Sequence, residues 1–202
     1  MNIPEAANIA ERLKRQLAFI VEIDQVKNIL RKTKLFSGSR FENDAEHSWT
    51  VCVMAAILQE HANFAVDIGK VIRMLLIHDI VEVDAGDVFL YSPQRQQTRG
   101  AEEKAAERIF GLLEGDQKQE YIDLWREFED RQSNEAKFAA VFDRLEPVLQ
   151  NWLNEGSSWK EHGIRRSQVL EKNRIIAEGS AELWELAQYL INDSVARGYL
   201  AE

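Results

Sequence analysis

The chain has 202 residues, long enough for one domain with a buried core, and its 45% hydrophobic and 29% charged residues are ordinary for a soluble globular protein. A net charge of −9 speaks against a general nucleic-acid coat, and no uncharged run reaches the roughly eighteen residues of a membrane span. The start, Met1-Asn2-Ile3-Pro4-Glu5, has no apolar signal core, and a single cysteine, Cys52, excludes an intrachain disulfide. These features together predict a cytoplasmic protein, with Cys52 a small buried hydrophobe among Val51, Val53 and Met54.

Ten Gly and three Pro favour long helices with short connections. Apolar residues recur every three or four positions over 5–20 and 22–32 (Leu13, Leu17, Ile20; Val26, Ile29, Leu30), which predicts helices there. Residues 34–41, with Ser37-Gly38-Ser39, read as a loop. Asn43 or Asp44 then caps a helix running to about residue 62, with Glu46 placed to close a capping box on Asn43. Asp67 opens another, through Leu75 and Leu76 to His78-Asp79 and on to Val83. Gly86 ends it, and 86–98 reads as irregular around Ser92-Pro93. Further helices are predicted over 100–114, 117–131, 134–154 and 166–197, the last broken at Gly179-Ser180. Val81-Glu82-Val83 is too short for a strand, and no repeat is present. The expectation is one all-α domain over 1–202, an irregular multi-helix bundle. A stripe of Leu183, Trp184, Leu186, Leu190 and Ile191 reads as core or dimer interface, with core the default.

Five basic residues (Lys27, Arg31, Lys32, Lys34, Arg40) and no acidic one lie between positions 27 and 40. They form either a solvated helix end or a local anion funnel, for which phosphate is the obvious guest. His47 follows directly. Alone, it would read as a capping or packing histidine. His78-Asp79 is stranger, because it follows Met74-Leu75-Leu76-Ile77, and an ionised aspartate beside a buried run needs a partner or a cation. Asp143 repeats the anomaly after Val141-Phe142, with Arg144 as its alternative partner. Two imidazoles and two carboxylates make a ligand set for one divalent metal that leaves an open, water-bearing face, as metal-assisted hydrolysis requires. Glu82, on a continued helix, falls on the same face as His78 and Asp79, where a carboxylate can manage protons. Asp87 is placed to orient that machinery or touch a substrate.

The pattern His47 … His78-Asp79 … Asp143 resembles the signature of the HD-domain metal-dependent phosphohydrolases. More narrowly, Glu42-Asn43-x-x-Glu46-His47-Ser48 and His78-Asp79-x-x-Glu82-x-x-x-Gly86-Asp87 resemble its 5′-deoxynucleotidase branch, over about residues 20–155. The resemblance implies a helical HD core over that span, with C-terminal helices at 165–198 packed on it, often as a homodimer. It implies one divalent metal on His47, His78, Asp79 and Asp143, with Glu82 and Asp87 in catalysis and substrate binding. It also places an arginine upstream of the first ligand against the substrate phosphate. Arg31 is the best match, with Lys32 or Arg40 as alternatives. Only four histidines exist (47, 61, 78, 162), none between Asp79 and Asp143, which favours a mononuclear centre. His61 reads as structural or exposed and His162 as a loop residue near a cleft. Trp159 either walls a base pocket or anchors its loop. Mixed nitrogen and oxygen donors admit manganese, cobalt, iron, nickel, zinc or magnesium. The expected reaction is hydrolysis of deoxyribonucleoside 5′-monophosphates, a small-molecule substrate, with no nucleic-acid or membrane partner. The alternatives are another phosphate ester (a nucleoside triphosphate, an alarmone or a cyclic nucleotide) or a non-catalytic metal-binding sensor.

Overall fold

The computed structural model describes residues 10–93 and 98–202. The first predicted helix is α1, Glu11–Ile23; its expected start at 5–9 and positions 94–97 of the irregular stretch lie outside the described residues. The predicted helix over 22–32 is corrected, whereas the loop predicted over 34–41 is present as the turn at 35–40, with Lys34 and Phe41 at its ends belonging to strands. A 3₁₀ turn, Asp24–Asn28, follows α1, and the chain then forms β1 (Leu30–Lys34), paired antiparallel with β2 (Phe41–Asn43). In β1 Arg31 and Thr33 are the more buried residues while Leu30 and Lys32 face out, so the period of two is present but its hydropathy is inverted. An apolar-in pattern cannot appear on a strand whose inner face meets a polar site. Gly38, at φ +72°, completes the turn, with Leu35 N–H donating to Arg40 O at 3.1 Å.

Asn43 caps α2 (Asp44–Ile57) in a reciprocal box with Glu46, at 3.0 and 3.2 Å, so of the two candidate caps Asn43 serves. This helix ends before its predicted limit of 62 and passes into a 3₁₀ turn, Gln59–His61. Asp67 caps α3 (Ile68–Ile77) by accepting from Lys70 N–H at 3.2 Å. The helix does not continue to Val83 as expected. Ile80 N–H bonds Ile77 O and Glu82 N–H bonds Asp79 O, making a tight turn into α4 (Glu82–Ala85), which Gly86 ends at φ +75°. Asp79 is therefore turned off the helix axis, and Glu82 meets it across a turn rather than along one helix face.

The remaining helices are α5 (Arg99–Phe110), α6 (Gly115–Asp130), α7 (Asn134–Leu153), a short α8 (Ser157–Glu161) that periodicity did not reveal, α9 (Arg166–Asn173), α10 (Ile176–Gly179) and α11 (Ala181–Ala196). The predicted break at Gly179-Ser180 is real: Ser180 caps α11 through Leu183 N–H at 3.1 Å, and its own Oγ donates to His61 O at 2.7 Å. A second break near residue 174 separates α9 from α10. The fold is all-α apart from the small hairpin.

Helix α7 is the axis of the bundle, packed by α2, α3, α6, α10 and α11, and Phe138, Val141, Phe142 and Leu145 on it are fully buried. A smaller cluster joins Val148 to Trp159, Ile164, Val169, Leu190 and Ile191. Of the C-terminal stripe, Leu183, Leu190 and Ile191 are core, whereas Leu186 is exposed. Cys52 is buried as expected. No helix among the described residues is long and apolar enough to cross a membrane.

Gly156, the N-cap of α8, sits at φ +78°, and a Cβ there would lie 1.8 Å from the Tyr199 carbonyl oxygen. Gly156→Ala is expected to destabilise the protein by about 1–3 kcal/mol from backbone strain alone. A urea denaturation midpoint equal to wild type would contradict this close approach.

Candidate metal centre and its adjoining clefts

The centre is assembled from three helices and one turn. His47 comes from the first turn of α2, His78 caps the C-terminal end of α3, Asp79 lies in the turn beyond it, and Asp143 projects from the middle of α7. His78 Nε2 stands 3.1 Å from Asp79 Oδ2 and 3.7 Å from Asp143 Oδ1. His47 Nε2 stands 3.4 Å from Asp143 Oδ1 and 3.8 Å from Asp79 Oδ2. The fold thus brings all four sequence-predicted ligands to one point.

Their outer faces decide how the imidazoles point. His78 Nδ1 is 2.8 Å from Leu75 O, which can only accept, so Nδ1 carries the hydrogen. His47 Nδ1 faces Glu146 Oε2 at 3.3 Å and Glu42 Oε2 at 3.7 Å, with the same consequence. Both Nε2 atoms are buried without a hydrogen-bond partner. Two orphaned nitrogens facing two carboxylates in a buried space are costly unless a cation sits between them, so the donor set fits a divalent metal.

The electrostatics agree. Burial opposes charge on Asp79, yet His78 and Arg31 hold it below the usual carboxylate range. Asp143 is likewise opposed by burial but held well below by Arg144, His47 and His78. Burial and Arg31 disfavour protonated His47, but Asp143 and Glu146 raise it to about 9; burial is similarly outweighed at His78, which Asp79 and Asp143 raise to about 10. Every group here answers a field that favours positive charge at the centre.

Around this lies a second ring in which the expected Arg31 and Glu82 are joined by Glu42, Asp44, Glu146 and Gln150, to which the sequence had assigned no role at the site. Arg31, only 13% exposed, places Nη1 2.8 Å from Asp79 Oδ2 and 3.3 Å from Asp44 Oδ1. Burial and Asp79 push Asp44 up to about 7, and burial and Glu146 push Glu42 to about the same value. Glu82 goes well above the carboxylate range through burial, Asp79 and Asp44, and it shares a hydrogen bond with Asp44. Asp44, Asp79 and Glu82 form a second close trio of oxygens, with Arg31 against it. Gln150, one turn beyond Glu146, donates to it. The acid-rich run Glu42 to Glu46 was the available signal for Glu42 and Asp44; Glu146 and Gln150 carried none.

Among the basic candidates, Arg31 is at the centre and Lys32 lies on a cleft rim, whereas Arg40 is paired with Glu46 on the surface and lines no cleft at the centre. Lys27 pairs with Asp24, so the basic run is largely neutralised locally rather than an open funnel. His61 pairs with Glu182 at 2.7 Å, away from the centre.

Two clefts open on Asp143 and Arg144. One, partly open to solvent, is walled by Phe89, Tyr91, Pro147, Val148 and Trp159, and reaches Arg31, Asp87 and Asp143. The other is wider and more polar, and Arg131 and Lys172 line it together with His78 and Asp79. Asn151 Oδ1 accepts from Ser158 N–H at 3.1 Å, Ser158 Oγ at 2.9 Å and Trp159 N–H at 3.3 Å, fastening α8 to α7 and so fixing the first cleft's wall. Trp159 is both an anchor and a wall. His162 packs at a tilt against Phe89, with ring centroids 4.6 Å apart.

A family model described as "HD domain" matches residues 23–184. The bovine protein named 5′-deoxynucleotidase HDDC2 is 29% identical over 150 residues, covering 73% of this chain and 71% of its own length. Its human counterpart is 30% identical over 137 residues, covering 66% and 65%. A crystal structure named as a predicted metal-dependent phosphohydrolase from Magnetospirillum magnetotacticum MS-1 superposes with a TM-score of 0.90 at 50% identity, covering 96% of this chain and 100% of that one. A protein from Pyrococcus horikoshii OT3 shares the fold at 22% identity, with a TM-score of 0.59.

A divalent ion held here stabilises the folded chain. Mn²⁺ at a hundred times its dissociation constant adds about 2.7 kcal/mol, read as a rise in Tm. Asp143→Ala is expected to abolish that rise and to leave desalted protein almost free of metal by elemental analysis. Wild-type metal retention in the variant would remove Asp143 from the ligand set.

Proposed function

The chain belongs to the HD-domain family, and from that premise we propose that it is a metal-dependent phosphomonoesterase that hydrolyses deoxyribonucleoside 5′-monophosphates. The observation that carries the reading is the junction of the His47–His78–Asp79–Asp143 centre with an aromatic-walled cleft, at the point where Arg31 and Asp87 meet it. Phosphate fits the polar end, and a flat apolar base fits the walls. The 5′-deoxynucleotidase names of the bovine and human relatives support the same substrate class.

A bound divalent ion supplies Lewis acidity, lowering the pKa of water from 15.7 to about 7 and offsetting phosphate charge. The chain's own residues do the rest. His47 and His78, held by their Nδ1 hydrogens, present fixed Nε2 donors, so the centre needs little rearrangement to bind an ion. Arg31 Nη1 is engaged with Asp79 and Asp44 and Nε faces Glu42 at 3.9 Å, so these acids hold the guanidinium at the cleft, where its charge suits a phosphate. Glu82, kept neutral by burial and its acidic neighbours, holds a proton for the leaving ester oxygen as the phosphorus–oxygen bond breaks. The Glu82–Asp44 pair then takes up the proton given by the attacking water, so the site returns to its starting charge. Asp87, on the cleft wall, orients the substrate.

A non-catalytic sensor would enclose its ion in protein ligands, and two clefts opening on Asp143 run against that. We place the enzyme in the cytoplasm with one ion per chain, of manganese, cobalt, iron, nickel, zinc or magnesium type. We further read it as a homodimer, for which Trp49, Val53 and Ile57 on α2, with Leu76 on α3, offer an exposed apolar face.

Metal-stripped protein resupplied with single divalent ions is expected to release phosphate from deoxyribonucleoside 5′-monophosphates in preference to the matched ribonucleotides. Release from neither series would overturn the substrate class. Glu82→Gln is expected to lower kcat by about 10²–10⁴ while keeping its metal. A variant with unchanged kcat would remove Glu82 from proton transfer.

A further inference from the structure

Thr33 lies two residues beyond Arg31 on β1, and both face inward from the strand. Its side chain lines the aromatic-walled cleft and is 92% buried (8% exposed), yet Oγ1 has no hydrogen-bond partner. A buried hydroxyl left unpaired costs about 1–3 kcal/mol. The side-chain amides lining the same cleft are satisfied within the protein. Asn151 accepts from Ser158 and Trp159, and Asn173 donates to Val169 O at 2.8 Å and to the Tyr91 hydroxyl at 3.5 Å. Thr33 is the wall residue whose hydroxyl awaits a guest.

Resting on the nucleotide reading above, we propose that Thr33 Oγ1 hydrogen-bonds the substrate's 3′-hydroxyl and is a specificity-determining residue of the nucleoside subsite. Three observations converge. Arg31, bonded to Asp79, marks the phosphate end of the cleft. Thr33 is displaced from it along β1 by roughly 6 Å, two residues of a strand whose register with β2 shifts between Leu30 and Lys34, comparable to the reach from a 5′-phosphate across one furanose ring. Once the 5′ oxygen is esterified, a deoxyribose has one free hydroxyl, the 3′. A threonine hydroxyl both donates and accepts, as does that alcohol, so each satisfies the other. Tyr91 and Trp159 line the same cleft and offer the base an aromatic wall.

The test uses metal-loaded wild type, Thr33→Val, which keeps the branched shape without the hydroxyl, and Thr33→Ser, which restores it. Each is assayed for kcat/KM on deoxyadenosine 5′-monophosphate and on its 2′,3′-dideoxy analogue, with Tm and metal content as checks on folding. Thr33→Val is expected to lose about tenfold on the deoxy substrate and less than about twofold on the dideoxy one. Wild type is expected to prefer the deoxy substrate by a similar factor, and Thr33→Ser to recover most of the loss. An equal loss on both substrates, or no wild-type preference between them, overturns the proposed contact while leaving the nucleotidase reading standing. Absence of wild-type turnover on either nucleotide overturns the nucleotidase reading itself, and the contact with it.

Discussion

The site depends on two hydrogen bonds that point away from it. His78 Nδ1 is fixed on the Leu75 carbonyl one turn back in its own helix, and His47 Nδ1 is fixed against Glu146 of α7. Each bond settles a tautomer and a ring plane, and together they turn both Nε2 atoms inward, where no group among the described residues donates to them. The burial of the two rings on α2 and α3, with both Nε2 atoms facing carboxylates, suits a positive charge between them. Without that constraint the two histidines would be ordinary packed side chains.

Charge around the centre is arranged in layers. Asp79 and Asp143 stay ionised against burial because His78, Arg31 and Arg144 hold them so. One step out, crowding has the opposite effect: Asp44, Glu42 and Glu82 are pushed towards neutrality by burial and by one another. The same crowding therefore holds Asp79 and Asp143 low while it pushes the neighbouring Glu82 up, the kind of separation that acid–base chemistry uses. Arg31 joins the layers, bonding a proposed ligand and an outer acid at once while lining the cleft.

Much of this was legible in the residues. The helices from α5 through α7 follow apolar periodicity closely, and the caps at Asn43, Asp67 and Ser180 mark their helices. Three of the four proposed ligands were legible because they break a local rule, a polar pair ending an apolar helix and an aspartate inside a buried run, whereas His47 stood out only in combination with them. The hairpin escaped because its inner face carries Arg31, Thr33 and Glu42, so hydropathy ran against its true register. The turn at 78–81 escaped because His78-Asp79-Ile80-Val81 continues the helical period that its backbone abandons. Glu146 and Gln150 escaped because on sequence alone they are unremarkable polar residues of α7, and only the arrival of α2 gives them a task. The cleft wall on α8 escaped because five residues are too few to show a period.

The most direct measurement is anomalous diffraction at the manganese edge from crystals of the protein soaked in Mn²⁺. A single strong peak at bonding distance from His47 Nε2, His78 Nε2, Asp79 and Asp143 is the predicted result. A peak displaced to the Asp44–Glu82 side with both imidazole nitrogens unligated, or no peak near the histidines at all, would contradict it.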